Sequence, residues 1–279
     1  LPRGFSPLIN AAPPLTPGVS ITLAQAPDET NFFFIVPLAK RKDDESWALV
    51  CALLQRTLKS VLQQTDADFQ VLVCGHDRPI IEEMHDSRIE FLSVDFPPPA
   101  TAEAGPKDKA LKRRRMLRQI ARRGGGYFML LDADDLVRDD LVETARAIDD
   151  PYGYILEAGY MLDAQSGDLA HVPGVVPEPF WHHCGSCAIF YVSPEDIGDG
   201  FIYHFRLHAE FKRMSAEIGR PLHELHEPMA IYVLNTGQNH SDSWRKNAVQ
   251  RRLLDNIKAQ AAPLPSDELR RYGIIPEEG

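Results

Sequence analysis

An α/β fold, with a mostly parallel central sheet carrying helices on both faces and a smaller mixed region after it, is predicted by three observations. Unbroken apolar runs such as Phe32-Phe33-Phe34-Ile35-Val36 and Tyr127-Phe128-Met129-Leu130-Leu131 have the length of strands covered on both faces. Segments with helical period alternate with these runs, the pattern of a parallel sheet. After Asp150 the signals change to turn-flanked, antiparallel ones.

Taken in order, residues 1–30 are rich in proline and lack amphipathic period, which reads as an extended N-terminal arm. Residues 31–150 read as the first half of the domain. Phe32 to Val36 forms a strand ended by Pro37. Ala48, Leu49, Ala52, Leu53, Leu58, Val61 and Leu62 recur at helical spacing, and Phe69 to Cys74 is a second strand. Ile89 to Val94 is a third, left through the turn Pro97-Pro98-Pro99. A helix over Lys107 to Arg123, closed by Gly124-Gly125-Gly126, leads into the strand Tyr127 to Leu131. Residues 151–262 form the second half of the same domain. Here Tyr154 to Leu162 and Leu169 to Val172 flank the hairpin turn Gln165-Ser166-Gly167-Asp168. Cys187 to Val192 and Met229 to Leu234 are further strands, and helices are predicted over about 204–219 and 244–260. Residues 263–279 read as a C-terminal tail.

With 279 residues, 44% apolar and 25% charged, the chain can bury a full core. A formal charge of −10 argues against a protein that holds nucleic acid by neutralising many phosphates. Four cysteines do not make a disulfide framework, so a reducing, cytoplasmic setting is the simpler expectation. No run reaches the roughly 18 apolar residues of a membrane span. The outer arginines of the run Lys107 to Arg115 are compatible with peripheral membrane contact or an anionic acceptor.

The chemistry concentrates at Leu130-Leu131-Asp132-Ala133-Asp134-Asp135, acidic residues where a buried strand gives way to a loop. Ligands of open α/β sheets bind outside the carboxyl ends of the strands. Alternate carboxylates there suit Mg²⁺ or Mn²⁺ bridging a diphosphate, because such cations complete their shell with water and phosphate oxygens. The competing reading is a helix N-cap cluster before Leu136.

Three segments in order, Ile35-Val36-Pro37, then Ser60-Val61-Leu62-Gln63-Gln64-Thr65 leading into Asp68 to Val73, then Leu131-Asp132-Ala133-Asp134-Asp135, make the chain resemble the family 2 glycosyltransferases of GT-A fold over about residues 32 to 245. The resemblance implies a Rossmann-like GT-A domain and a transferase with a nucleotide-sugar donor of UDP or GDP type. The acceptor is a saccharide or other hydroxyl compound. It implies that Pro37 and Leu38 flank the nucleoside, that Asp132 and Ala133 address ribose and diphosphate, and that Asp134 holds the metal. A basic residue is expected against the diphosphate, with Lys109 and Arg113 the candidates. His240, in the loop closing Tyr232 to Ser241, is a second metal-ligand candidate.

The chain also departs from the family. In place of the usual aspartate pair after the second strand stand Gly75-His76 and then Asp77, which is the remaining candidate for reading the base. The stretch Phe201 to His208 lacks the acidic base that inverting members carry. His204 is the candidate in its place, with Asp199 and Glu210 as alternatives. Cys184 and Cys187 have the spacing of a zinc pair, but no second pair follows. The segment reads instead as the Gly185-Ser186 turn beside the acceptor, with Trp181 a sugar-stacking surface. A nucleotidyltransferase uses a similar sheet and similar acidic ligands, and a silent nucleotide-sugar-binding module would keep the fold without the base. Both stand as alternatives to the transferase.

Overall fold

The computed structural model describes residues 31–197, 207–238 and 248–275. The first half alternates as expected: β1 (Phe32–Pro37), α1 (Asp44–Leu62), β2 (Gln70–Gly75), β3 (Ile89–Ser93), α2 (Gly105–Arg122) and β4 (Gly126–Leu130). Then follow β5 (Leu136–Val137), α3 (Leu141–Ile148), β6 (Gly153–Leu156), β7 (Gly159–Asp163), β8 (Leu169–Val172) and β9 (Ala188–Val192). The chain continues through α4 (Phe211–Glu217), β10 (His223–Leu225), β11 (Ala230–Leu234), α5 (Ala248–Gln260) and α6 (Ser266–Arg271).

Seven strands form the main sheet in the order β10-β6-β9-β4-β1-β2-β3. β1 runs parallel to both β2 and β4, and β2 parallel to β3. β9 enters antiparallel between β4 and β6. The molecule is thus a Rossmann-like α/β protein with a mostly parallel sheet, and Phe32 to Val36 of the central strand are almost wholly buried. Strand order reverses between β1 and β4, because the chain first builds outward to β3 and then crosses back. Loops leave β1 and β4 at that point, where open α/β sheets form their ligand crevice at the carboxyl edge. A second sheet, β5-β11-β7-β8, lies on the far side of the acidic loop.

Local chemistry explains the elements that frame the crevice. Asp43 caps α1, its carboxylate accepting from the Ser46 N–H at 2.8 Å. Helix α2 ends in three glycines with positive φ, and a Cβ on Gly126 would stand 2.3 Å from the Asn31 carbonyl oxygen. Only glycine lets the start of β4 come that close to the start of β1.

Three expectations are revised. In α1 Leu53, Leu58 and Val61 are buried as expected, but Trp47, Val50 and Leu54 join them while Ala48, Leu49 and Ala52 are exposed, so the buried face is shifted from the expected one. The single strand expected over Tyr154 to Leu162 is two: β6 joins the main sheet and β7 the second sheet. A Cβ on Gly159 would lie 2.4 Å from the Phe180 ring, which fills the space where the chain changes sheets. The segment from Pro263 on, expected to be a tail, forms α6, and Tyr272 beyond it is fully buried with Leu136, Ile231 and Val233. Its hydroxyl donates to the Pro228 carbonyl at 2.7 Å.

Candidate active site

The loop Leu131-Asp132-Ala133-Asp134-Asp135 leaves β4 at the crevice, and its three carboxylates have three different settings. Asp135 is fully buried. Its carboxylate accepts from the Ser186 hydroxyl at 2.6 Å, the Cys184 thiol at 3.4 Å and the Val233 N–H at 3.0 Å, tying the loop to the 184–186 turn and to β11. Burial and the neighbouring Asp132 raise its pKa above the usual carboxylate range.

Asp132 faces α2. Its carboxylate lies 2.6 Å from the Lys109 ammonium and 4.0 Å from the Arg113 guanidinium. Burial opposes its charge, but Lys109 and Arg113 more than offset this and leave its pKa below the ordinary value. Its N–H donates to the Ser186 Oγ at 2.8 Å, so one serine holds the backbone of Asp132 and the side chain of Asp135 together. A Cβ on Gly185 would sit 2.9 Å from Asp132 Oδ2, so a side chain there would press on this carboxylate. Asp134 is half-buried, and its pKa is raised well above the usual range by burial first and then by Asp135 and Asp132. Arg113 Nε is buried with no hydrogen-bond partner among the described residues, which leaves a donor unsatisfied beside the acidic loop.

A second cluster fixes the loops that follow β1 and β2. Lys112 is fully buried, donating to the Leu38 carbonyl at 2.8 Å and to Asp108 at 2.5 Å. The other oxygen of Asp108 lies 2.8 Å from His76 Nε2. Pro37 ends β1 in register with Cys74, and the buried Leu38 donates its N–H to the Cys74 carbonyl at 2.8 Å. Asp77 accepts from the Arg41 N–H at 3.0 Å, so its carboxylate links the two loops.

The half-buried Trp181 donates its indole N–H to Glu157 at 3.1 Å, and Lys212 reaches the same carboxylate oxygen at 2.6 Å. Beside it, His208 has Nδ1 3.0 Å from the Trp181 carbonyl. His208 lies near enough to Asp132, Lys109 and His182 to feel their charges, and burial lowers its pKa.

The structure therefore gathers Lys109, Arg113, Asp132, Ala133 and Asp134 in one place, with Pro37, Leu38 and Asp77 in the adjoining loops. Glu210 ends a turn over His208–Glu210 and faces Arg213 at 3.4 Å on the outer side of α4. Asp199, His204 and His240 lie outside the described residues. Sequence reasoning missed His208, four positions beyond His204. It also missed the Asp108–Lys112 pair, although an i, i+4 acid–base pair on a helix whose Met116 and Ile120 face inward is a readable signal.

No family model matches the chain, and no curated protein does. Among solved structures, a 4-diphosphocytidyl-2C-methyl-D-erythritol synthase is 13% identical with a TM-score of 0.39, over 81% of this chain and 100% of its own. CMP:2-keto-3-deoxy-manno-octonic acid synthetase in complex with CTP is 11% identical with a TM-score of 0.40, over 72% and 91%. PaToxG glycosyltransferase is 10% identical with a TM-score of 0.29, over 90% and 80%. Likeness at this level carries no argument about activity, and the function rests on the side chains at the end of β4.

Proposed function

We infer that the protein transfers a sugar from a nucleotide-diphosphate sugar of UDP or GDP type to the hydroxyl of a saccharide or other acceptor, with Mn²⁺ or Mg²⁺ at Asp134. The observation that carries this reading is the approach of Lys109 and Arg113 to Asp132 at the strand-order reversal. Two cations set against an acidic loop suit a ligand that brings both phosphates and a hard cation.

The donor set fits such a cation. Asp132, Asp134 and Asp135 stand in one loop with Lys109 and Arg113 as cationic neighbours of Asp132, and a divalent ion at Asp134 would offset the charge of its carboxylate neighbours. Among the described residues no three His, Cys, Asp or Glu side chains form a metal-binding group, so a cation held at Asp134 would need water and phosphate oxygens as its remaining ligands. When bound, the metal stabilises the departing diphosphate.

The chain's own residues do the rest. Lys109 and Arg113 hold the phosphates, Gly185 leaves room beside Asp132, and Ser186 fixes the loop. Trp181 offers a face for the acceptor sugar. His208 donates Nδ1–H to the Trp181 carbonyl, which leaves Nε2 to take the proton of the acceptor hydroxyl. Residues 31–150 then serve the donor and residues 151–262 the acceptor.

Calorimetric titration with UDP, GDP and CDP, with and without Mn²⁺, tests the reading. One diphosphate should bind in a metal-dependent way, and Asp134→Ala should abolish that dependence while the fold survives. Binding by the variant with unchanged metal dependence rejects the assignment. With candidate acceptors present, release of nucleoside diphosphate from a nucleotide sugar supports sugar transfer. Release of pyrophosphate from a nucleoside triphosphate indicates a nucleotidyltransferase instead, and binding of every donor without turnover a silent module.

A further inference from the structure

Helix α2 carries eight Lys and Arg against one Asp, a local charge of +7 in a chain whose formal charge is −10, so the remaining residues carry −17. Its inner face is accounted for: Lys109 and Arg113 meet Asp132, and Lys112 is buried against Asp108. Its outer face is basic as well. At about 100° per residue, Lys107, Leu111, Arg114, Arg115, Arg118 and Arg122 fall within an arc of about 100°, along roughly 22 Å of helix. Lys107, Arg115, Arg118 and Arg122 are exposed and make no ion pair or hydrogen bond among the described residues. Leu111 lies among them, half-buried.

This stripe costs helix stability. Arg114, Arg118 and Arg122 follow one another at i, i+4, where like charges repel. Lys107 stands in the first turn, where the helix dipole disfavours a cation. We propose that the outer face of α2 is a docking surface for an anionic lipid bilayer. A straight row of cations on one convex face matches a flat, negatively charged sheet, and the aliphatic stems of the arginines with Leu111 match its interfacial layer. The −17 on the remainder of the chain disfavours contact through other faces and so orients the molecule. A single-stranded nucleic acid fits less well, because no aromatic side chain stands in the stripe for a base to stack on. The inference is independent of the nucleotide-sugar reading, since Lys109 and Arg113 leave the helix on its other side.

Co-sedimentation with vesicles tests it, using phosphatidylcholine alone and a mixture of phosphatidylcholine with abundant phosphatidylglycerol. The protein should pellet with the anionic vesicles only and be released by high salt, as screening predicts. Arg115→Glu/Arg118→Glu/Arg122→Glu should bind them at least about tenfold more weakly. Arg251→Glu/Arg252→Glu/Lys258→Glu, an equal charge change at exposed positions of α5, should bind as the wild type does. Should the first triple variant fail to fold by circular dichroism, the glutamine versions of the same three residues take its place, with a smaller loss expected. The proposal is overturned by any of three results: no pelleting with anionic vesicles, equal loss in the α5 variant, or binding of single-stranded RNA through the stripe with vesicles ignored.

Discussion

Lys112 is the residue on which the donor-side loops depend, because one ammonium joins the backbone after β1 to Asp108, and through it to His76. Removing a single member of a buried ion pair leaves the other charge uncompensated. Lys112→Met is therefore expected to cost about 3–5 kcal/mol in urea denaturation. Adding Asp108→Asn should recover part of that loss, and additive losses would show that the two side chains do not act as a unit. His208 makes a second prediction. Burial holds its pKa below the ordinary imidazole value, the Trp181 carbonyl and Asp132 pulling the other way. The unfolded chain then takes up the proton first. The contribution of His208 to stability is present above about 6.5 and is lost as pH falls through the lower, folded value. The urea midpoint of the wild type should drop further between neutral and acidic pH than that of His208→Gln, and parallel curves would exclude the ring as the source. If it serves as base, the same variant loses about 10²–10⁴-fold in turnover and little donor affinity. Asp132 and Asp134 were legible because carboxylates that end an apolar strand have few structural uses. His208 was not, because its role comes from the distant carbonyl of Trp181, and no local pattern encodes that contact.

At the scale of the element, the turn that carries Gly185 and Ser186 braces the acidic loop. Cys184 donates its thiol to Asp135, and Cys187, like Cys184, is fully buried. Gly185→Ala should keep the melting temperature within a few degrees but weaken metal-dependent nucleotide binding about tenfold, roughly 1.4 kcal/mol, by pressing on Asp132. Unchanged affinity would mean that Asp132 can step aside. The parallel strands were legible from their apolar runs, since a strand covered on both faces admits little else. The face of α1 was legible only in part, because the exposed Leu49 continues the spacing of the buried Leu53, while Trp47, Val50 and Leu54 widen the stripe on its other side. Nor was the break between β6 and β7 visible: Glu157-Ala158 contains no Gly or Pro, and the change of sheet follows from Phe180 packing over Gly159.

For the whole molecule, the two sheets meet at the acidic loop, and Asp135 is hydrogen-bonded to the turn before β9 and to β11, one from each sheet. The second sheet is completed by Tyr272, whose ring fills the space between Leu136, Ile231 and Val233. Tyr272→Ala should cost about 3–5 kcal/mol, and Tyr272→Phe only the bond to the Pro228 carbonyl, about 1 kcal/mol. An equal effect of the two changes in urea denaturation would place the stabilisation in the hydroxyl. Polar, proline-bearing residues after Pro263 resemble an unstructured end, so the one aromatic among them gave little warning of its role. Its position has a consequence for how the molecule is made. A ribosome delivers the chain from the first residue onward, and domains generally acquire structure in that order. The main sheet can assemble from residues synthesised before Tyr272, but β5 and β11 wait for that tyrosine, which follows both of them in the chain. Until Tyr272 has been made, the apolar face of the second sheet stays open to chaperones, and a product that stops short of it keeps that face uncovered.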